Sequence, residues 1–235
     1  MITAHSPIIV SDDKKVFVAV LPERCMYDLA VQSAMRVMYR AGELGYVPMW
    51  LQYGRTDWNR QSCAEAFLRS TKNDDDTLVM LDIDHDHPKN IVEKLVADDK
   101  DVVVPLMFRR GEPYQCCAFR RTPDGVLHHI ATFPAGLHKM DALGAGALAI
   151  KRKVFTTLQA AGHCWFWKYE YKDNLESPSE DLYFSKICGE EGVEMWLDCD
   201  IETPHITYGF IYRSTHDEYF ADHPELGNLI TVRKE

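Results

Sequence analysis

Apolar positions along the chain alternate between short continuous runs and spaced helical patterns. Val16-Phe17-Val18-Ala19-Val20-Leu21 is one such run, stopped by Pro22, and predicts a buried strand. Ala30, Ala34, Val37, Met38 and Ala41 then recur on one helical face, and Gly42 and Gly45 end the pattern. Val47 to Gln52 predicts a second strand. A second helix carries Cys63, Ala66 and Phe67 and closes before the polar turn Asn73-Asp74-Asp75-Asp76. Thr77 to Ile83 is apolar on both faces, as a central parallel strand should be. Asn90 to Ala97 predicts a short helix, with Ile91 and Leu95 one turn apart, and Asp101 to Met107 another strand. Tyr114 to Arg121 and Val126 to Thr132, joined by Thr122-Pro123-Asp124-Gly125, predict an antiparallel hairpin. Ala142 to Ile150 reads as a small-residue strand, Lys153 to Ala161 and Ser179 to Glu190 as helices, and Val193 to Cys199 as a last strand.

This alternation, followed by a hairpin-bearing second half, indicates an α/β sandwich with a mostly parallel central sheet and a small antiparallel region. No repeat, low-complexity tract or linker interrupts it. A single domain over residues 1–235 is therefore expected, with its core over about 16–205 and a C-terminal extension, 206–235, that the pattern does not place. The 235 residues are 46% hydrophobic and 26% charged, a composition that packs rather than one that stays disordered. The formal net charge of -10 repels bulk nucleic acid and anionic membrane, which disfavours general nucleic-acid binding but not a local positive pocket made by a bound cation. Seven cysteines, at 25, 63, 116, 117, 164, 188 and 199, include no CxxC pair and read as free thiols of a reducing compartment. No apolar run approaches a membrane span, and MITAHSPIIVSDDKK lacks the build of a signal peptide, so the expected location is cytoplasmic.

The stretch Leu78-Val79-Met80-Leu81-Asp82-Ile83-Asp84-His85-Asp86-His87-Pro88 runs from apolar residues into three carboxylates and two imidazoles. Side chains alternate along a strand, so Asp82 and Asp84 are expected to point the same way, at the carboxyl end of a strand, where α/β sheets bind ligands. Two ionised carboxylates side by side repel each other, and a cation between them relieves the repulsion. Oxygen-rich ligation suits Mg2+ or Mn2+. Capping of the helix after Pro88 would account for one acid, Asp86, but not for all three. His85-Asp86-His87 also fits a metal-dependent hydrolase drawing further ligands from His128, His129, His138 or His163, although a hairpin sends His128 and His129 to opposite faces. Later, Ser179-Glu180-Asp181 opens a helix, either as a cap with dipole-complementing acids or as catalytic carboxylates.

Taken in order, four blocks resemble nucleotide-sugar-dependent glycosyltransferases of the GT-A fold, especially small bacterial and phage members related to family 2. They are Leu81-Asp82-Ile83-Asp84 with Pro88; the small-residue segment Leu143 to Arg152 leading into Val154-Phe155; Ser179-Glu180-Asp181 with Phe184; and Trp196-Leu197-Asp198 with His205. The resemblance implies that Asp84 and His205 bind Mn2+ or Mg2+, with Asp82 facing the donor ribose or the metal's water shell. Asp84 with Asp86 is the alternative register of the acidic pair. The metal would bridge the diphosphate of a UDP- or GDP-linked sugar. Asp181 would deprotonate an acceptor hydroxyl on a glycan, protein or other molecule, with Glu180 orienting it, and kinship with family 2 implies inversion. Family members carry an Arg-Asn pair on the helix before the acidic strand. This chain has Asn59-Arg60 with Asp57 nearby, which would meet the donor phosphates or base.

Gly144 and Gly146 permit close backbone approach to a ligand, or tight helix–strand packing. Trp165 and Trp167, in an aromatic run that includes Phe166, Tyr169 and Tyr171, offer an acceptor platform or an aromatic core edge. Arg109-Arg110 and Arg120-Arg121 bracket the hairpin's start, as anion contacts or solvated strand ends. The Gln-x-x-Arg-Trp signature of processive polymerases is absent, which favours transfer of one sugar. A nucleotidyltransferase would need a glycine-rich basic loop after the first strand, where Pro22-Glu23-Arg24-Cys25 offers neither glycine nor lysine. A non-catalytic module binding sugar nucleotides or glycans is the alternative outside enzymes.

Overall fold

The computed structural model describes residues 14–22, 28–51, 54–168, 179–207 and 210–226. The first half alternates as its pattern dictates: β1 (Val16–Leu21), α1 (Asp28–Glu43), β2 (Val47–Trp50), α2 (Thr56–Ser70), β3 (Thr77–Asp82), α3 (Ile91–Ala97) and β4 (Val102–Leu106). Short strands follow: β5 (Ala118–Arg121), β6 (Leu127–His129), β7 (Leu137–Met140), β8 (Ala142–Leu143) and β9 (Ala147–Lys151). Then come α4 (Arg152–Ala160), α5 (Glu180–Glu190), β10 (Met195–Glu202), the β11 (His205–Ile206) and β12 (Phe210–Ile211) pair, and α6 (Arg213–Asp222).

The central sheet has the order β2-β1-β3-β9-β4-β10-β7. Strands β1, β2, β3, β4 and β10 run one way, and β9 and β7 run antiparallel to their neighbours. Strands β1, β4 and β9 are buried along their whole length and β3 along all but its last residue, which is why they read as continuous apolar runs. Such strands need helices on both faces. The helices fall into two groups, α1 with α3 and α2 with α4 and α5. A second, small antiparallel sheet has the order β6-β5-β8. The architecture is therefore mixed α/β with a mostly parallel central sheet, as expected.

Two expectations change. The hairpin pairs only Ala118–Arg121 with Leu127–His129, because Cys116 bridges Phe108 instead of extending it. The single strand expected over Ala142 to Ile150 is two strands in different sheets, β8 and β9. Between them the backbone bonds sideways: Gly144 N–H donates to Cys117 O at 2.6 Å, and Gly146 O accepts from Asp82 N–H at 2.8 Å. This turn brings Gly144–Gly146 against the end of β3. An aromatic line through the core ties the elements around it. Phe17 meets Phe67 at 5.4 Å, Phe67 meets Phe155 at 6.1 Å, and Trp167 stacks on Phe184 of α5 at 5.0 Å. Among the described residues no helix is long and apolar enough to cross a membrane.

Candidate active site

Strand β3 ends at Asp82 and the chain turns at Ile83 and Asp84, so the expected shared face of Asp82 and Asp84 does not form. The following residues instead lie along residues 204–206. Asp86 N–H donates to Pro204 O at 2.9 Å, Ile206 N–H donates to Asp84 O at 2.8 Å, and His85 bridges His205. The turn sends the three acids into three environments. Asp82 takes both Nη2 contacts of Arg60, at 3.0 and 2.9 Å. Asp86 pairs with Arg36 of α1, which also donates to His87 O. Asp84 is buried and faces His85 Nδ1 at 3.0 Å, His205 Nε2 at 3.1 Å and Arg110 Nη2 at 3.1 Å.

Burial alone would raise the Asp84 carboxyl, but hydrogen bonds from His205 and His85 outweigh it and hold the group far below the usual carboxylate range. Burial opposes charge on His205 too, yet the Asp84 contact prevails and raises it. His85 goes the other way, lowered to about 4 by burial and then by the charge of His205. The His205 ring is fixed from behind, since its Nδ1 lies 2.7 Å from Phe108 O. His85 and His205 have ring centroids 3.8 Å apart. Donor atoms of Asp84, His85 and His205 all lie within 4.8 Å of one another, a set that could hold a metal ion. Among the described residues, Asp82 and Asp86 stand outside this set.

Both glycines of the β8–β9 turn sit where a side chain would collide. A Cβ at Gly146 would lie 2.5 Å from His85 Cε1 and 2.8 Å from its Nε2. A Cβ at Gly144 would lie 2.8 Å from Cys117 Cβ and 3.6 Å from Asp181 Oδ2. The turn is thus the shared wall of the Asp84 cluster and of Asp181. Cys117 senses both. Burial pushes its thiol up to about 12, and Asp181 and Asp84 each add to the rise.

Asp181 stands at the start of α5, partly exposed, and accepts from the Ser179 hydroxyl and from Leu182 N–H. Ser179 therefore spends its hydroxyl on Asp181 and makes no side-chain cap. A helix N-terminus by itself favours the ionised form of a carboxylate such as Asp181. Burial and then the neighbouring Glu180 push its carboxyl up instead, only partly offset by Ser179 and Arg60. Arg60 connects the parts. Buried on α2, it donates from Nη1 to Ala145 O at 2.8 Å, holds Asp82, and lies 3.7 Å from Glu180.

The remaining candidates lie further out. Asp57 is held by Arg55 at the start of α2, and Asn59 reaches Gly54 O at 3.5 Å. Arg55 and Asp57 line a cavity of ≈ 510 Å³ with His163, Trp165, Lys168 and Tyr183. Trp165 is exposed and meets Trp58 edge-on at 5.7 Å. Trp167 is fully buried against Phe184 and Phe166, so it belongs to the core and presents no ring face to an acceptor. Tyr169 and Tyr171 lie outside the described residues. His129 and His138 bond Cys116 O and Pro134 O, and His163 faces Glu191. Among the described residues none of these histidines, nor His128, joins the Asp84 cluster. Sequence reasoning missed His85 in this role and Arg110 at Asp84. The His-Asp-His spacing pointed to the first only through a hydrolase, and nothing in the pattern pointed to the second.

The sequence matches no known family model and no curated protein. Among solved structures, a Drosophila β-1,4-galactosyltransferase 7 mutant in complex with manganese, UDP-Gal and xylobiose is 14% identical with a TM-score of 0.41, over 82% of this chain and 71% of its own. A glycosyltransferase involved in the glycosylation of the major capsid of PBCV-1 is 11% identical with a TM-score of 0.37, over 88% of this chain and 99% of its own. A nucleoside-diphosphate-sugar pyrophosphorylase from Vibrio cholerae is 13% identical with a TM-score of 0.34, over 90% of this chain and 80% of its own.

Proposed function

We propose that this chain is a metal-dependent glycosyltransferase that moves one sugar from a nucleoside-diphosphate sugar to an acceptor hydroxyl. One observation carries the reading. Asp84 and His205, far apart in sequence, meet at 3.1 Å at the carboxyl end of β3, and the Gly144–Gly146 turn joins that point to Asp181. Asp84, the Gly144–Gly146 turn, Asp181 and His205, which meet here, each come from one of the four sequence blocks that resemble GT-A transferases. The donor set fits a divalent cation: an ionised buried carboxylate faces imidazoles, one of them oriented by a carbonyl behind it. Held by Asp84 and His205, Mn2+ or Mg2+ would neutralise charge on the diphosphate leaving group.

The protein's own groups do the rest. Asp181 accepts the acceptor proton, and its raised carboxyl makes it a stronger base than an ordinary aspartate. Glu180 orients it by holding the Arg60 side chain, which in turn fixes Asp82 toward the donor side. Gly144 and Gly146 keep the floor low enough for a sugar to lie between carboxylate and cation. Trp165 offers the acceptor an exposed ring, and Asn59 and Asp57 border the donor end of α2. The kinship with family 2 implies an inverting displacement, in which Asp181 activates the incoming hydroxyl.

Asp84→Ala and His205→Ala should each abolish Mn2+-dependent donor hydrolysis and transfer, measured as free nucleotide released from UDP- and GDP-sugars. Full activity in both variants would remove the metal assignment. Asp181→Asn should bind donor as the parent does and transfer nothing. Donor binding by the parent chain without hydrolysis or transfer to any acceptor would make it a binding module.

A further inference from the structure

We infer that His85 is a direct ligand beside Asp84 and His205, so that two imidazole nitrogens and one carboxylate select Mn2+ or Co2+ over Mg2+. The inference rests on the metal-dependent reading above and says which ion that site takes. Of the three carboxylates only Asp84 stands with the imidazoles, where it also meets the half-exposed Arg110, while Asp82 lies on the buried Arg60 and Asp86 on Arg36, both outside the cluster. What converges on Asp84 is nitrogen, and imidazole favours first-row transition ions whereas Mg2+ favours carboxylate, carbonyl and water.

The spacing agrees. Two neighbouring donors, each about 2.1 Å from an octahedral ion, stand about 3.0 Å apart. Asp84 Oδ1 lies 3.0 Å from His85 Nδ1, and Asp84 Oδ2 lies 3.1 Å from His205 Nε2. The lone pairs agree as well. His205 Nδ1–H donates to Phe108 O, so Nε2 is the nitrogen that faces the Asp84 carboxylate, with a proton there when no ion is bound and a lone pair for an ion that displaces it. Two acceptors at that distance need a positive charge between them, from a proton or from an ion.

His85 is 2% exposed, and its Nε2 has no hydrogen-bond partner, packed instead against Gly146. Its backbone is pinned by the bridge to His205. The nitrogen that faces Asp84, Nδ1, is thereby held at the cluster as the candidate ligand atom.

The test uses the full chain, stripped with chelator, and follows free Mn2+ by its EPR signal while Mg2+ is added. Pulsed EPR of the Mn2+-loaded wild type counts bound imidazole nitrogens. We expect Mn2+ to be held against about a hundredfold excess of Mg2+. We also expect two imidazole couplings in the wild type. His85→Gln should show one coupling and lose about tenfold or more of the discrimination against Mg2+. A single coupling in the wild type, or unchanged discrimination in a folded His85→Gln, overturns the inference and leaves the metal reading standing. If His85→Gln fails to fold by circular dichroism, the wild-type spectrum alone decides. A wild type that binds no Mn2+ overturns both. Two couplings without sugar transfer would keep the ligand set and remove the transferase.

Discussion

Gly146 and Asp98 show how single side chains set the site and the stability around it. An alanine at 146 would place its Cβ 2.5 Å from a buried ring that has no room to retreat. Gly146→Ala should therefore cost about 1–3 kcal/mol in urea unfolding and weaken Mn2+ binding at the same time. Asp98, at the end of α3, is pushed up to about 6 by burial and then by Asp198, with Asp200 adding and Lys100 opposing. Its folded value lies above its unfolded one, so the stability it contributes is full below the unfolded value and lost as pH rises through about 6. Asp98→Asn should then be more stable than the parent above that pH. After allowance for a half-exposed group, the gain should be about 1 kcal/mol or less, fading toward about pH 4, as read from urea midpoints. At this scale the acids themselves were legible, because carboxylates closing an apolar run have no packing role. Their partners were not. Arg60, Arg36 and Arg110 arrive from α2, α1 and the loop after β4, and no local pattern tells which acid each will meet.

Helices and strands were legible wherever apolar spacing had a clear period, and illegible where small residues or short edges erased it. The continuous runs of β1, β3 and β4 and the one-sided face of α1 appear where patterning placed them. Ala142 to Ile150 has the composition of one strand, and only the cross-chain bonds of Gly144 and Gly146 divide it. Leu137–Met140 is a four-residue edge strand with too few positions to announce a period. Helix α2 contributes through one residue more than through its face. Arg60 is 2% exposed and stands between Asp82 and Glu180. Arg60→Met should destabilise by about 3–5 kcal/mol in denaturant unfolding, because it leaves two carboxylates without their counter-charge in the interior. Arg36→Ala, which breaks a half-exposed pair with Asp86, should cost about 1 kcal/mol or less.

Across the whole molecule, the C-terminal region turns out to belong to the site's support. Patterning left residues beyond 205 unplaced because α6 is a polar helix with a single buried side chain among its described residues, His216. That side chain donates from Nδ1 to Tyr114 O at 3.0 Å and packs its ring on Phe108 and Phe133. Phe108 in turn gives its carbonyl to His205. His216→Ala should weaken Mn2+ binding about tenfold while far-UV circular dichroism stays unchanged, since the contact acts through the ring behind the ligand. The same loop carries Arg110, whose half-exposed side chain already rests on Asp84. On the proposed function, an ion taking that seat would displace a tethered rival, and the displaced guanidinium, still on its loop beside the site, would be available to the anionic tail of a donor. Loading would then be an exchange of one cation for another. Arg110→Gln should accordingly take up Mn2+ more tightly when nucleotide is absent and hold UDP or GDP less tightly when the metal is in place, both measurable by calorimetric titration.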